Sequence, residues 1–117
     1  MDQDWARPVV HFEIEAIDPD TLIPFYEAMF HWSASDGAIR FFPAGLGGPE
    51  PGPAGHFRQS HRSGVTLYIQ VRDIEASLAQ AQSLGGAVTL PAIDLPSGQT
   101  IAGITDPEGN PVTLVQQ

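Results

Sequence analysis

Three ionisable side chains alternate with apolar ones near the start of the chain. His11, Glu13 and Glu15 share one face of the segment 9–17 if it is a β-strand, because successive strand side chains point to opposite sides. Histidine titrates near neutral pH and carboxylates accept protons, so these types suit proton transfer beside a carbonyl. We therefore take His11 and Glu13 as candidate catalytic residues and expect Glu15 to be solvated. The alternative for His11 is an ordinary strand histidine that bonds to a neighbour.

A second strand-like segment, 65–71, repeats the pattern of the first. After a shift of 55 residues, the three polar positions of the first segment coincide with Thr66, Tyr68 and Gln70. Tyr68 then corresponds to Glu13, and its hydroxyl is a candidate hydrogen-bond donor to a carbonyl or enolate oxygen. The alternative is that Tyr68 covers the core with its hydroxyl in water.

The rest of the pattern predicts two helices and several strands. An Asp-Pro-Asp cluster precedes an amphipathic helix over 22–30, and Asp73 opens a second helix that Gly85 and Gly86 end. Further strands are expected at 38–43, 87–95, 99–105 and 112–116. The Gly- and Pro-rich segment 45–55 is expected to be a loop, which serves either as a lid or as a plain connector.

The composition excludes several classes of function. The 117 residues suffice for one domain, and 14 acidic residues against 5 arginines give a net charge of −9, which disfavours nucleic acid. The sequence contains no Lys for a Schiff base and no Cys for a thiolate nucleophile or a disulfide. It also contains no apolar stretch long enough to span a membrane, and we expect no signal peptide. We expect a cytoplasmic protein with no membrane partner.

Four segments together give the chain a family resemblance. They read VVHFEI, FYEAMFHW, LYIQVRDIEASLAQAQSLGG and ITDPEGNPVTL. In this order they resemble the vicinal oxygen chelate superfamily (glyoxalase, bleomycin resistance and dioxygenase proteins), in particular its small members related to lactoylglutathione lyase. The resemblance implies an α+β fold, in which two βαβββ modules form a half-closed, eight-stranded mixed sheet with a concave cleft. Residues 1–117 would be one such domain, with modules at about 8–60 and 64–117, and the protein would be a homodimer.

The same resemblance indicates where metal ligands would lie, on the first and last strands of each module. His11 and Thr66 occupy the first-strand positions, and Thr113 occupies the last-strand position of module two. The repeat places Arg58 at the fourth position, whereas a small shift of register places His56 there. Threonine and arginine are poor metal ligands, so no metal cofactor is expected. If a metal does bind, His11, Glu13 and His56 are the candidates.

Two functions of different class follow from these residues. The first is a small-molecule-binding protein without the usual complete metal site, whose ligand would contact Arg58, His56, Thr66, Thr113 and Gln70. Arg58, and also Arg40, would hold an anionic group of that ligand unless they serve only as surface counter-charges. The alternative is a lyase, isomerase or dioxygenase-type enzyme that uses His11, Glu13 and Tyr68, with or without a divalent metal.

Overall fold

A computed structural model describes residues 6–42 and 53–116 of the chain. By their contacts the residues divide into two compact units: His11–Thr66 is one, and Leu67–Gln117 together with Met1–Val10 is the other. No helix of the described residues is long and apolar enough to cross a membrane.

The unit His11–Thr66 is built from three strands and one helix. In chain order these are β1 (Val9–Ala16), α1 (Pro19–Phe30), β2 (Ile39–Phe42) and β3 (Ala54–Gln59). Strand β3 lies between the other two, parallel to β1 and antiparallel to β2. One sheet face packs on α1 through a core of Ile14, Ile23, Phe42 and Phe57. This packing leaves the opposite face of the sheet for the polar residues of β1 and β3.

Helix α1 begins and ends at residues whose backbone preferences suit those positions. Pro19 lies in the first turn, where its missing N–H costs nothing, while Pro24 lies inside the helix. The helix ends at Phe30, and the next residue, His31, caps it with a left-handed backbone of φ 59° and an N–H that donates to the Glu27 carbonyl at 2.9 Å. Helix α1 therefore stops two residues before Trp32, whose ring stacks on Phe42 at 4.3 Å.

The second unit has four strands and one helix: β4 (Gly64–Gln70), α2 (Ile74–Ser83), β5 (Ala87–Asp94), β6 (Thr100–Thr105) and β7 (Pro111–Gln116). Strand β7 is parallel to β4 and antiparallel to β6, which in turn pairs with β5. As expected, the Asp73 carboxylate caps α2 by accepting from the Ala76 N–H at 3.1 Å. Gly85, at φ 96°, supplies the left-handed turn after the helix.

The α+β class and the repeated strand–helix–strand order are confirmed. The described residues contain seven strands, so the expected eighth strand is not among them. The end of the predicted loop is wrong: Ala54 and Gly55 already belong to β3, because that strand pairs with β1 from Ala54 onward. The remainder of that loop, up to residue 52, lies outside the described residues.

Gly55 gives a test of how closely β3 packs beside the site. A Cβ at this position would overlap the ring of Phe42, which is only 4% exposed, and would lie 3.0 Å from the ring of Phe12. We expect Gly55→Ala to lower the free energy of unfolding by about 1–3 kcal/mol, since the buried rings must shift. Urea denaturation measures this loss.

The matched control is Gly64→Ala, also on a strand, where an added Cβ meets nothing within 4 Å. This control is expected to be neutral or slightly stabilising because alanine restricts the unfolded chain. Equal stability of the two variants would contradict the close packing at Gly55.

Candidate functional site

The face of the sheet opposite α1 carries two rows of side chains that cross the three strands. In the first row Glu13 of β1 pairs with His56 of β3, which pairs with Phe41 of β2. The second row has Glu15, Arg58 and Ile39 at the corresponding places. Paired residues point to the same side of a sheet, so the rows form one surface. We call this surface the polar face and define it by His11, Glu13, Glu15, Phe41, His56 and Arg58.

Hydrogen bonds join Glu13, His56 and His11 in a chain. The His56 Nε2 lies 2.9 Å from the Glu13 Oε2, and the His56 Nδ1 lies 2.7 Å from the His11 Nε2. An ionised carboxylate only accepts, so His56 Nε2 must donate to it. When His56 is neutral, its Nδ1 therefore accepts from the His11 Nε2–H. Neutral His11 then has its own Nδ1 as the unprotonated nitrogen.

Two arginines hold the carboxylates of the polar face. Arg58 donates to both oxygens of Glu13, through Nε at 2.8 Å and Nη2 at 3.3 Å, and its Nη2 also lies 3.5 Å from Glu15. Arg62 donates to both oxygens of Glu15, at 3.0 Å and 3.2 Å. Two negative charges thus face two positive charges, and a bidentate bond fixes the orientation of each carboxylate.

Burial of these groups is nearly complete for the acids and His56. Glu13 is 7% exposed, Glu15 3% and His56 6%. Among the described residues, no buried side-chain nitrogen or oxygen lacks a hydrogen-bond partner. The polar face is therefore a satisfied network, in which loss of one member would leave another buried and unpaired.

The network shifts the acidity of its members. Burial raises the pKa of Glu13, but hydrogen bonds from His56 and Arg58, with their charges, outweigh burial and lower this pKa to about 2. The hydrogen bond from Arg62 lowers the pKa of Glu15. Burial and then the neighbouring His56 lower the pKa of His11, against the attraction of Glu13. At neutral pH both glutamates are ionised and neutral His11 is favoured.

Phe41 provides an apolar border to the polar face. Its ring centre lies 5.5 Å from that of His56 and 6.3 Å from that of His11, and the two imidazoles stack at 4.9 Å. Phe41 is 52% exposed in spite of these contacts. Sequence reasoning missed Phe41, although its place two residues after Ile39 in a predicted strand was a usable signal.

The candidate metal ligands do not converge on one point. His56 lies between His11 and Glu13 and directs one ring nitrogen to each, while both Glu13 oxygens accept from Arg58. A metal site needs about three donors aimed at a common centre with no cation already bound to them. Within residues 6–42 and 53–116, no group of three or more His, Cys, Asp or Glu is arranged to hold a metal ion. The arrangement does not fit a divalent cation.

The second unit places other predicted residues at equivalent positions on its own strands. Tyr68 pairs with Thr113 across β4 and β7, as Glu13 pairs with His56 across β1 and β3. His56, rather than Arg58, is therefore the counterpart of Thr113, two residues from the position that the repeat arithmetic gives. Gln70 pairs with Val115, and its N–H donates to the Pro8 carbonyl at 3.0 Å.

Two expectations about charged residues need correction or restriction. Glu15, expected to be solvated, is buried because Arg62 and Arg58 neutralise it. Arg40 lies 3.4 Å from the exposed carboxylate of Asp20, which is the counter-charge alternative rather than a contact with the polar face.

Thr66 is buried, with 7% exposure. Roles of Arg58, Thr66, Thr113 and Gln70 in ligand binding stay predictions.

A cavity of about 270 Å³ opens near the start of α1. Its lining includes Asp20, Arg40, Phe57 and Gln59. Phe57 belongs to the core under α1, whereas His56 and Arg58, its neighbours on β3, point to the other side of the sheet. The cavity therefore lies on the helix side, away from the polar face.

Comparison with known proteins gives one family match. The sequence model of the glyoxalase-like domain family matches residues 11–115. No curated protein matches the chain.

Solved structures share the fold at low sequence identity. A glyoxalase/bleomycin resistance protein/dioxygenase superfamily member from Vibrio splendidus 12B01 is 15% identical with a TM-score of 0.68, over 96% of this chain and 100% of that one. A hypothetical protein from Bacillus halodurans C-125 is 12% identical with a TM-score of 0.67, over 97% and 96%. Methylmalonyl-CoA epimerase from Mycobacterium tuberculosis is 18% identical with a TM-score of 0.60, over 92% and 85%. These likenesses confirm the glyoxalase/bleomycin resistance fold and, at such identities, nothing finer.

The lowered pKa of Glu13 predicts how stability depends on pH. Because the pKa falls from 4.5 to about 2 on folding, the ionised form stabilises the folded protein, fully so above pH 4.5 and progressively less as the pH falls towards 2. Glu13→Gln removes this contribution, which is on the order of 2–3 kcal/mol. We expect the variant to be less stable than the native protein at neutral pH, with the difference shrinking in acid.

Urea denaturation across this pH range measures both proteins. Glu108→Gln is the control, since Glu108 is exposed and lies in the other unit. If the difference in free energy of unfolding between the native protein and Glu13→Gln stays constant down to about pH 3, Glu13 is not held ionised by the network.

Proposed function

We propose, given that this chain belongs to the glyoxalase-like domain family, that it binds a small, partly apolar organic molecule on the polar face and holds no stoichiometric divalent metal. His11 is the polar contact of that molecule. His56 and Glu13 are positioning residues that act through His11, and Arg58 keeps Glu13 ionised and oriented.

The hydrogen-bonded chain from Glu13 through His56 to His11 carries this proposal. Glu13, Glu15 and His56 are buried, so water no longer solvates them fully, and apolar residues of similar size would stabilise this sheet face at least as well. Clusters of buried ionisable groups with shifted pKa values are typical of functional sites. A network that ends on the partly exposed His11 is suited to presenting one imidazole to a ligand.

The donor set supports binding without a metal. Both oxygens of Glu13 already accept from Arg58, and both nitrogens of His56 have partners in the chain. A cation would have to displace the guanidinium and break the contact between His56 and its neighbours. The electrostatic role that a cation would have towards Glu13 belongs to Arg58 instead.

An enzyme is the second candidate, and the direction of the same hydrogen bonds favours it. When His11 and His56 are both neutral, the Nδ1 of His11 is the unprotonated nitrogen, so it can accept a proton from a carbon acid beside a carbonyl. The resulting positive charge is shared with His56 and offset by Glu13. Glu13, with a pKa of about 2, is a weak base at neutral pH and suits orientation better than proton transfer.

We further propose a cytoplasmic homodimer. The absence of cysteine supports a reducing, intracellular setting, and dimers are what the family resemblance implies. Light scattering after size-exclusion chromatography measures the mass of the assembly directly.

The proposed function is tested by metal content and ligand binding on the same preparation. Elemental analysis after incubation with Ni²⁺, Zn²⁺, Fe²⁺ or Mn²⁺ and gel filtration is expected to find much less than one ion per chain. A library of small carbonyl and hydroxyl compounds is then screened for a rise in melting temperature. Hits are expected to lose most of their effect in His11→Asn, because the imidazole contact is gone.

His31→Asn is the matched control, since His31 is exposed and asparagine tolerates its left-handed backbone. In this variant the same compounds should still raise the melting temperature, and the metal content should stay much below one ion per chain. One tightly held ion per chain, lost only in His11→Asn, would overturn the metal-free proposal. Hits that survive in His11→Asn would place the ligand away from the polar face.

A further inference from the structure

We propose that the ligand is a phenol-like molecule, whose flat ring lies against Phe41 while its hydroxyl donates a hydrogen bond to His11. This inference rests on the proposed function, because it names the class of molecule that the same polar face binds. It makes Phe41 the residue that determines specificity for a flat ring.

The position of Phe41 selects a flat apolar group. Phe41 shares its cross-strand row with His56, and its ring lies within 6.3 Å of both imidazole rings, centre to centre. Phe41 is 52% exposed, and Ile39, in the adjacent row of the same strand, is 42% exposed. An aromatic ring placed here would bury apolar surface of both residues and stack on or meet the edge of Phe41. A saturated ring of equal size would gain the burial without the aromatic geometry.

The polarity of the hydrogen-bond chain selects a donor on the ligand. Glu13 can only accept, so when His56 is neutral the donors run from His11 to His56 to Glu13, and the Nδ1 of neutral His11 is an acceptor. A ligand hydroxyl is the complementary donor, and it exchanges with the partners that His11 has in the unliganded protein. An ether oxygen or a ketone oxygen at the same place is itself an acceptor, so it could not form a hydrogen bond with the accepting Nδ1 of His11.

The charges of the polar face favour a neutral donor over an ionic one. The carboxylates of Glu13 and Glu15 are already neutralised by Arg58 and Arg62, so the face offers no unmatched charge to a carboxylate or an ammonium. An anion on neutral His11 would face a lone pair, and an ammonium would lie near the half-exposed Arg58 guanidinium. A phenol hydroxyl is neutral in water and is a stronger donor than an aliphatic alcohol.

The test compares three probes of nearly equal size by NMR titration of the full chain. They are 4-methylphenol, its methyl ether 4-methylanisole, which lacks the donor, and 4-methylcyclohexanol, which lacks the flat ring. The native protein is expected to bind 4-methylphenol at least about fivefold more tightly than either of the others. Phe41→Leu keeps apolar bulk but removes the ring, and it should reduce the preference over 4-methylcyclohexanol to less than about twofold.

Phe25→Leu is the matched control, because Phe25 is similarly exposed at 56% but lies on α1. It is expected to keep the full preference. Equal binding of the phenol and the cyclohexanol by the native protein, or an unchanged preference in Phe41→Leu, would overturn the role of Phe41. Equal binding of the phenol and the ether would overturn the hydroxyl contact with His11.

Failure of this inference and failure of the proposed function give different results. If none of the three probes binds, but other compounds raise the melting temperature in a way that depends on His11, the phenol class is wrong and the proposed function stands. If no compound binds in that way, both are wrong.

Discussion

The carboxylate of Glu13 is the group on which the polar face depends. It lies on β1 and accepts from two residues of β3, His56 and Arg58, so one buried acid ties two neighbouring strands together through side chains as well as through the backbone ladder. Its orientation determines which His56 nitrogen carries the proton, and hence the tautomer of His11. A single acid thereby controls the geometry of the sheet face. It also controls whether each ring nitrogen of the partly exposed His11 donates or accepts a hydrogen bond.

The two units show how one strand–helix–strand plan supports different surfaces. Equivalent strand pairs carry Glu13 with His56 in one unit and Tyr68 with Thr113 in the other. In the first pair Arg58 offsets the burial of the Glu13 carboxylate, whereas the second pair has no carboxylate to neutralise. The plan of strands and helices is a constraint of packing, and the chemistry depends on which residues occupy two or three positions along it.

Much of the fold was predictable from local pattern. Alternation of period two identified β1 and β4, and the aspartates and glycines identified the ends of α2, because these signals depend on neighbours within a few residues. Helix α1 was predicted from 22, three residues late, since Pro19 and Asp20 belong to its first turn. Strand β3 was not predicted from local pattern, because its first residues, Ala54 and Gly55, look like loop residues until their pairing with β1 is known.

The sequence by itself determined the α+β class, the alternating polar face of β1, and the candidates His11 and Glu13, because residue type and short-range periodicity carry that information. His56 became a candidate through the family resemblance. Only the tertiary structure decided that His56 rather than Arg58 is opposite Glu13, since the register between β1 and β3 depends on the path of the chain between them. The burial of Glu15 by Arg62 and the approach of Phe41 to His11 were likewise decided there. Contacts between residues some 30 to 47 positions apart follow from strand pairing and from the bend after β3 that carries Arg62, neither of which a local pattern specifies.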